Sequence, residues 1–220
     1  MISTRFNWDS DSALLDKELG FKIEAIEMEL LHKAKVLRPS GNHHTWGEGI
    51  HDGNQSWVGL DPQTLQTPYA ELKQICELVK PTAGNLVLDL GAGYGRLGIV
   101  LNDLCPESNF LGYELVGERV TEANRVYQEM DLKRARMLQL DLTNADFELP
   151  AADIYFIYDY GKPVHIQKTL EQLSQMADHQ KFKVVARGSG TRSLIENYHP
   201  WLFDLNPVIH QEKFSIYSWN

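Results

Sequence analysis

Hydrophobic residues of this 220-residue chain follow one rhythm before residue 85 and a different one after it. In the first part, apolar positions recur every three or four residues between Leu15 and Leu37, which predicts an amphipathic helix over residues 12–36. Residues 43–67 show no sustained period and predict a long loop, and the pattern over 68–79 predicts a second helix.

From Asn85 onward, short continuous apolar runs alternate with helical patterns. Runs of this kind are typical of strands buried on both faces, and their alternation with helices predicts a parallel sheet. The predicted strands are 86–90, 110–114, 136–140, 154–158 and 182–186, and the predicted helices are 96–104, 117–130, 163–176 and 189–198. Two further runs, 201–205 and 213–219, leave no room for a crossover helix and therefore predict an antiparallel hairpin.

The predicted fold is α/β, with a doubly wound, mostly parallel seven-stranded sheet and an antiparallel C-terminal strand. An N-terminal helix and loop precede the sheet. We therefore expect an N-terminal extension, residues 1–80, that covers a substrate, followed by a ligand-binding domain, residues 81–220.

Composition narrows the possible functions. No run is long and apolar enough to span a membrane, and residues 1–12 lack the features of a signal peptide, which favours the cytoplasm. The net charge of −9 is spread evenly along the chain. Because nucleic-acid affinity comes mostly from Lys and Arg displacing counterions, this charge disfavours a nucleic-acid partner.

The strongest chemical signal is the segment 88–95, LDLGAGYG, where a predicted strand leads into a glycine-rich turn and a helix. Its three glycines are Gly91, Gly93 and Gly95. They let the backbone turn tightly and approach a ligand closely. Arg96 follows where the dinucleotide fingerprint has glycine, and Asp89 lies inside the strand. A carboxylate at that place suits an ammonium group better than a pyrophosphate.

Two more acids end the next predicted strands. Glu114 stands where an acid accepts hydrogen bonds from both hydroxyls of a ribose, and Asp141 would lie over an adenine edge. Because parallel strands end at the same edge of a sheet, Asp89, Glu114 and Asp141 should line one crevice.

With these motifs the chain resembles the class I, seven-stranded S-adenosylmethionine-dependent methyltransferases. The resemblance covers about residues 69–220 and rests on LDLGAGYG, the acids in LGYELV and QLDLT, and the antiparallel last strand. It implies S-adenosyl-L-methionine (SAM) as the cofactor. In that reading Asp89 and the glycine loop hold the methionine part, Glu114 holds the ribose, and Asp141 with the Leu142 backbone contacts adenine. A NAD-binding or other nucleotide-binding Rossmann domain is the alternative.

Candidate acceptor residues follow the fourth predicted strand, in Tyr158-Asp159-Tyr160-Gly161. N-methyltransferases of this class place short polar-aromatic motifs such as D/N-P-P-Y there, although both prolines are absent here. GYELV and VVARG resemble, more loosely, the non-SET lysine methyltransferases. Asp159, with Tyr158 or Tyr160, is the candidate for orienting the acceptor; alternatively, Asp159 caps the next helix.

The segment before the glycine loop has two interpretations. In the lysine branch such a segment closes over the methionine end, so Tyr69 either contacts the cofactor or begins the apolar face of a helix. Arg187 would meet either an acidic substrate or a structural carboxylate. His43, His44 and His51 show no zinc-binding spacing with Glu48, and we expect no metal.

The expected activity is methyl transfer to a nitrogen, with a protein lysine as one acceptor. An acidic enzyme would attract a basic protein electrostatically. Two alternatives stay open: a small-molecule acceptor enclosed by Trp46 and Trp57, and a SAM-binding module without turnover.

Overall fold

The computed structural model describes residues 6–37, 57–204 and 206–219. In this part of the chain, seven strands form one sheet in the order β3-β2-β1-β4-β5-β7-β6. The strands are β1 Leu86–Leu90, β2 Asn109–Glu114, β3 Ala135–Gln139, β4 Ile154–Tyr158, β5 Phe182–Arg187, β6 Ile209–His210 and β7 Phe214–Trp219. Strands β1 to β5 pair in parallel, whereas β7 is antiparallel to both β5 and β6. The predicted fold class is confirmed.

Helices cover both faces of the sheet. They are α1 Ser12–Glu18, α2 Ile23–Leu37, α3 Pro62–Leu65, α4 Tyr69–Val79, α5 Arg96–Leu104, α6 Gly117–Glu129, α7 Pro163–Met176 and α8 Ser189–Tyr198. On one face, residues of α1, α4, α5 and α6 share a core with Val87 and Phe156. On the other, α7 and α8 pack on Leu88 and Ile157. Neighbouring residues of a strand thus enter opposite cores, which explains the continuous apolar runs.

The single helix predicted over residues 12–36 is wrong, because the chain forms two helices there. Gly20 adopts the left-handed region at φ 84° and ends α1, as glycine commonly does after a helix. Leu19, Phe21 and Ile23 are nevertheless all buried. The apolar pattern therefore continues across the break because tertiary packing, not one continuous helix, buries these side chains.

The C-terminal hairpin is present, but its first strand was predicted in the wrong place. The run 201–205 contains no strand in its described residues; Pro200–Leu202 is instead a 3₁₀ turn. Trp201 packs against Phe182 and Trp219, with ring centroids 6.3 and 5.5 Å apart. These apolar side chains cover the end of the sheet, and the strand that pairs with β7 is Ile209–His210.

Within the predicted loop 43–67, Pro62–Leu65 forms the short helix α3, and Asp61 caps its start. His43, His44, Trp46, Glu48 and His51 lie outside the described residues. Within the described ranges, no helix is long and apolar enough to cross a membrane, and no three His, Cys, Asp or Glu side chains are placed to hold a metal ion.

Candidate active site

A cleft of about 330 Å³ opens at the carboxyl ends of β1, β2 and β4. This is the edge where open α/β sheets bind ligands, because the helices on the two faces diverge there. Asp89, Glu114 and Asp141 all line the cleft, together with Gly91, Gly93 and Leu142. The N-terminal extension closes one side with residues that include Glu27 and Gln66.

The glycine loop, residues 91–95, joins β1 to α5 along the floor of the cleft. The amides of Gly91 and Ala92 both donate to the carbonyl of Tyr113 at 2.9 Å, which fixes the loop to β2. Gly91 has φ 85°, and a Cβ there would lie 2.5 Å from the Cβ of Tyr160. A side chain is therefore excluded both by the backbone conformation and by the neighbouring residue.

Gly93 faces the cleft, whereas Gly95 lies behind the loop. Gly93 donates its amide to the Glu114 carboxylate at 3.0 Å. Gly95 has φ 70° and precedes the first turn of α5, and its carbonyl accepts a 2.5 Å hydrogen bond from the Tyr127 hydroxyl. The sequence predicted that Gly95 holds the cofactor together with Gly91 and Gly93. In the structure it shapes the turn that leads into α5.

Asp89 lies at the centre of this floor. Burial, and then the negative charge of Glu114, raise the pKa of Asp89 from 3.8 to about 7. Both causes oppose a second negative charge, so a cationic group bound in the cleft would stabilise the ionised form. A carboxylate in this setting is suited to a ligand that carries positive charge.

Glu114 is held by the backbone around it. One carboxylate oxygen accepts from Gly93, and the other accepts from the amide of Val116 at 2.9 Å. Burial raises the pKa of Glu114 above its usual value, while Arg119 and the amides act in the opposite direction. The Arg119 guanidinium lies 3.7 Å away.

Asp141 and Leu142 follow β3, which ends two residues before the aspartate and one residue earlier than predicted. Asp141 accepts from both the amide and the hydroxyl of Thr143, at 2.8 and 2.6 Å. These bonds stabilise a turn after the strand, and Leu142 lies buried beside it.

Tyr69 does not contact the cleft, and its expected contact with a cofactor is not retained. Its ring is fully buried, stacks on Trp8 and donates its hydroxyl to Asp16 at 2.9 Å. The other interpretation, that Tyr69 begins the apolar face of a helix, describes its position in α4. The preceding residues Leu65 and Gln66 do line the cleft.

Arg96 connects the N-terminal extension to the glycine loop, a link that sequence reasoning missed. Its guanidinium donates to Asp16 at 3.0 Å from Nε, to Gln63 at 2.7 Å and to the Thr67 carbonyl at 3.3 Å. Arg96 and Asp16 are both buried. The arginine in place of the fingerprint glycine was the available signal, because a charge at a buried turn needs a partner.

The acceptor candidate Asp159 holds a distant helix. Its carboxylate accepts from the amides of Gly190 and Thr191, at 3.2 and 2.7 Å, and from the Thr191 hydroxyl at 2.7 Å. It therefore caps the first turn of α8. The alternative prediction, that Asp159 caps the next helix along the chain, named the wrong helix, because that helix is α7. This contact joins the end of β4 to the start of α8 beside the cleft, which Asp159 also lines.

The two candidate tyrosines differ in orientation. The Tyr160 hydroxyl contacts Thr169 at 2.7 Å and donates to the His165 carbonyl at 3.1 Å, and burial raises its pKa to about 12. Tyr158 lies under Arg187, whose guanidinium carbon is 4.1 Å from the ring centroid. Arg187 also forms two hydrogen bonds with Glu71, so its partner is a structural carboxylate.

Residues 87–181 match a family model described as a methyltransferase domain. This segment of the chain is similar to methyltransferase domains. The match extends from β1 through α7 and includes the glycine loop and all three cleft acids. The match supports SAM as the cofactor.

Solved methyltransferase structures share the fold. An RNA methyltransferase from Salinibacter ruber, in complex with S-adenosyl-L-homocysteine, has a TM-score of 0.52 and 20% identity over 70% of this chain and 91% of its own. Precorrin-6y C5,15-methyltransferase from Geobacter metallireducens has a TM-score of 0.55 and 14% identity over 73% and 92%. TrmN from Thermus thermophilus has a TM-score of 0.50 and 18% identity over 69% and 48%. At these identities the likeness shows the fold alone. No curated protein matches the chain significantly in sequence.

Proposed function

We propose that this methyltransferase transfers the methyl group of SAM to a nitrogen on a basic protein, with a lysine side chain as the acceptor. The observation that carries the proposal is the arrangement of three strand-end acids and a glycine loop around one cleft, beside an aromatic and apolar wall.

The cofactor side of the cleft fits SAM by the chemistry of its donors. Asp89 would face the ammonium group of the methionine part, beside Gly91 and Gly93. Glu114 would accept from the ribose hydroxyls, and Asp141 with Leu142 would border the adenine. The cofactor supplies an electrophilic methyl group on a positively charged sulfur.

We place the acceptor beside Leu72, Phe156 and Tyr158, which line the same cleft. An apolar wall disfavours a charged ammonium, so an entering lysine would lose its proton more readily there. We propose that Tyr158 orients the acceptor nitrogen, while Asp159 and Tyr160 hold the end of β4 in place through their hydrogen bonds. Much of the rate would come from holding the nitrogen in line with the methyl group.

Charge favours a protein acceptor. The net charge of −9 would attract a basic partner, and a cytoplasmic location remains the expectation from the sequence.

A small-molecule acceptor is the second candidate, because Trp57 lines the cleft and offers an aromatic surface to a small ligand. RNA is the acceptor named for the Salinibacter ruber methyltransferase. The labelling experiment described next distinguishes an RNA acceptor from a protein.

The test is transfer of labelled methyl groups from SAM to a cell lysate incubated with the purified enzyme. The proposal expects label in macromolecules that resists nuclease, is released by protease and appears as methylated lysine after acid hydrolysis. Label lost to nuclease, or confined to small molecules, would contradict a protein acceptor. Binding of S-adenosylhomocysteine without any labelling would favour a module without turnover. Glu114→Gln is the inactive control.

A further inference from the structure

The segment between α3 and α4 faces the glycine loop through the side chain of Gln66. Gln66 lines the cleft, and a Cβ placed on Gly93 would lie 3.7 Å from its Cγ and 3.9 Å from its Oε1. The side-chain nitrogen Nε2 of Gln66 donates to the carbonyl of Pro62 at 3.4 Å. Because ordinary N–H to O bonds measure roughly 2.7 to 3.2 Å, this donor is held only weakly by the protein.

Arg96 fixes the position of Gln66 relative to the glycine loop. The Arg96 guanidinium donates to Oε1 of Gln63 at 2.7 Å and to the carbonyl of Thr67 at 3.3 Å. These two partners lie on either side of Gln66 in the chain, and Arg96 directly follows the glycine loop. Arg96 is itself buried against Asp16. The fold therefore sets where the Gln66 backbone lies, and its side chain has only a short distance to cover.

The charges around the cleft leave one part of the cofactor without an obvious partner. The amino-acid end of SAM carries a carboxylate as well as an ammonium group, and a carboxylate that leaves water needs hydrogen-bond donors. Among the described residues, the arginines that line the cleft each donate to a carboxylate of the protein: Arg96 to Asp16, Arg119 to Glu27 and Arg187 to Glu71. Their positive charges are thus already balanced. The weakly held amide nitrogen of Gln66 is a donor at the same end of the cleft as Gly93.

We infer that the side-chain amide of Gln66 donates a hydrogen bond to the carboxylate of the methionine part of SAM. The inference rests on the proposed function, which places the methionine part beside Asp89, Gly91 and Gly93. In this arrangement Asp89 faces the ammonium group and Gln66 faces the carboxylate, so each charged group of the amino-acid end has its own partner. Gln66 would then supply the cofactor contact that one interpretation of the sequence assigned to Tyr69.

The experiment measures calorimetric affinities of the full chain for SAM and for decarboxylated SAM, which lacks the carboxylate but keeps the ammonium group, the sulfonium, the ribose and the adenine. The wild-type protein should bind SAM about tenfold more tightly, the size expected for a hydrogen bond to a charged group. Gln66→Leu removes the donor at similar size and should weaken SAM about tenfold, but decarboxylated SAM by less than about twofold. Gln128→Leu is the matched control, because Gln128 lies at an exposed position on α6.

The ratio of the two affinities separates a hydrogen bond to the carboxylate from general support of the cleft wall. If Gln66 only supported the wall, its loss would affect both ligands alike, so equal weakening of both by Gln66→Leu would overturn the inference. An unchanged affinity for SAM in that variant would overturn it too. Gln66→Glu keeps the shape of the side chain and puts a negative charge opposite the carboxylate, so it should weaken SAM by more than Gln66→Leu does. It also provides the comparison of the two ligands if Gln66→Leu does not remain folded.

Two results with the wild-type protein complete the test. Equal affinity for SAM and decarboxylated SAM would show that the protein does not recognise the carboxylate, which overturns the role of Gln66 and leaves the rest of the cofactor site standing. Failure to bind either ligand would refute the proposed cofactor site itself.

Discussion

Cofactor affinity should depend on pH through Asp89, because this side chain must change its charge to meet a cationic ligand. Burial and the nearby Glu114 raise the pKa of Asp89 to about 7, so the side chain is about half protonated at pH 7 in the free protein and mostly protonated at pH 6. The proposed partner, the ammonium group of the methionine part, favours the ionised carboxylate. Binding should therefore release a proton, and affinity should rise with pH.

The size of the effect follows from the pKa. If only the ionised form binds, the dissociation constant exceeds its plateau value by about twofold at pH 7 and about tenfold at pH 6. The tenfold change corresponds to about 1.4 kcal/mol of binding free energy. The stability of the protein without cofactor depends on pH in the opposite direction. Because the folded state holds the Asp89 proton more tightly than the unfolded state, the free energy of unfolding falls as pH rises from 3.8 to about 7.

Calorimetric titration with S-adenosylhomocysteine between pH 5.5 and pH 7.5 provides the assay. Repeating each titration in two buffers of different ionisation enthalpy counts the protons released. About one proton per ligand is expected at pH 6, falling to about half at pH 7. The Asp89→Asn variant should bind weakly at every pH, because its amide resembles the protonated carboxyl.

Two results would refute this reasoning. Affinity that is constant from pH 5.5 to pH 7.5 would show that Asp89 does not face the positive charge. An unchanged pH dependence in Asp89→Asn would assign the titration to another group, of which Glu114 is the nearest candidate, since burial raises its pKa too.

Two further variants test the floor of the cleft by chemical denaturation. Gly91→Ala should lower the free energy of unfolding by more than about 2 kcal/mol, because it adds a steric clash to an unfavourable φ of 85°. Gly84→Ala is its control, with φ 83° and nothing within 4 Å of an added Cβ; it should cost about 1 kcal/mol, and equal losses would argue against the clash. Asp159→Ala should cost about 0.5 to 2 kcal/mol by uncapping α8, whereas the exposed Asp178 should tolerate the same change. An Asp159→Ala protein as stable as the wild type would contradict the capping role.

Local patterns predicted many elements residue for residue. β1, β4, α5, α7 and α8 have the predicted bounds. Each combines a clear apolar period with a boundary residue, such as Pro163 at the start of α7 or Gly95 before α5. These signals act within a few residues along the chain, so the sequence suffices to read them.

The errors occurred where distant contacts decide local structure. Gly20 divides the first helix, yet the buried side chains on both sides of it continue the helical spacing. The run 201–205 has the composition of a strand, but its Trp201 belongs to a 3₁₀ turn and packs against Phe182 and Trp219. In both cases the apolar pattern predicts that a residue is buried. It does not predict which helix, strand or turn the residue belongs to.

Taken alone, the sequence determined the fold class, the glycine loop and the acids Asp89, Glu114 and Asp141, because these features depend on short motifs at the ends of successive strands. Only the tertiary structure decided the roles of Tyr69, Asp159 and Glu27. Their side chains acquire a function from partners far along the chain: Asp16 for Tyr69, Thr191 for Asp159 and Arg119 for Glu27. A carboxylate or a hydroxyl can serve a ligand or a neighbouring residue equally well, and the choice depends on which groups the fold brings within hydrogen-bonding distance.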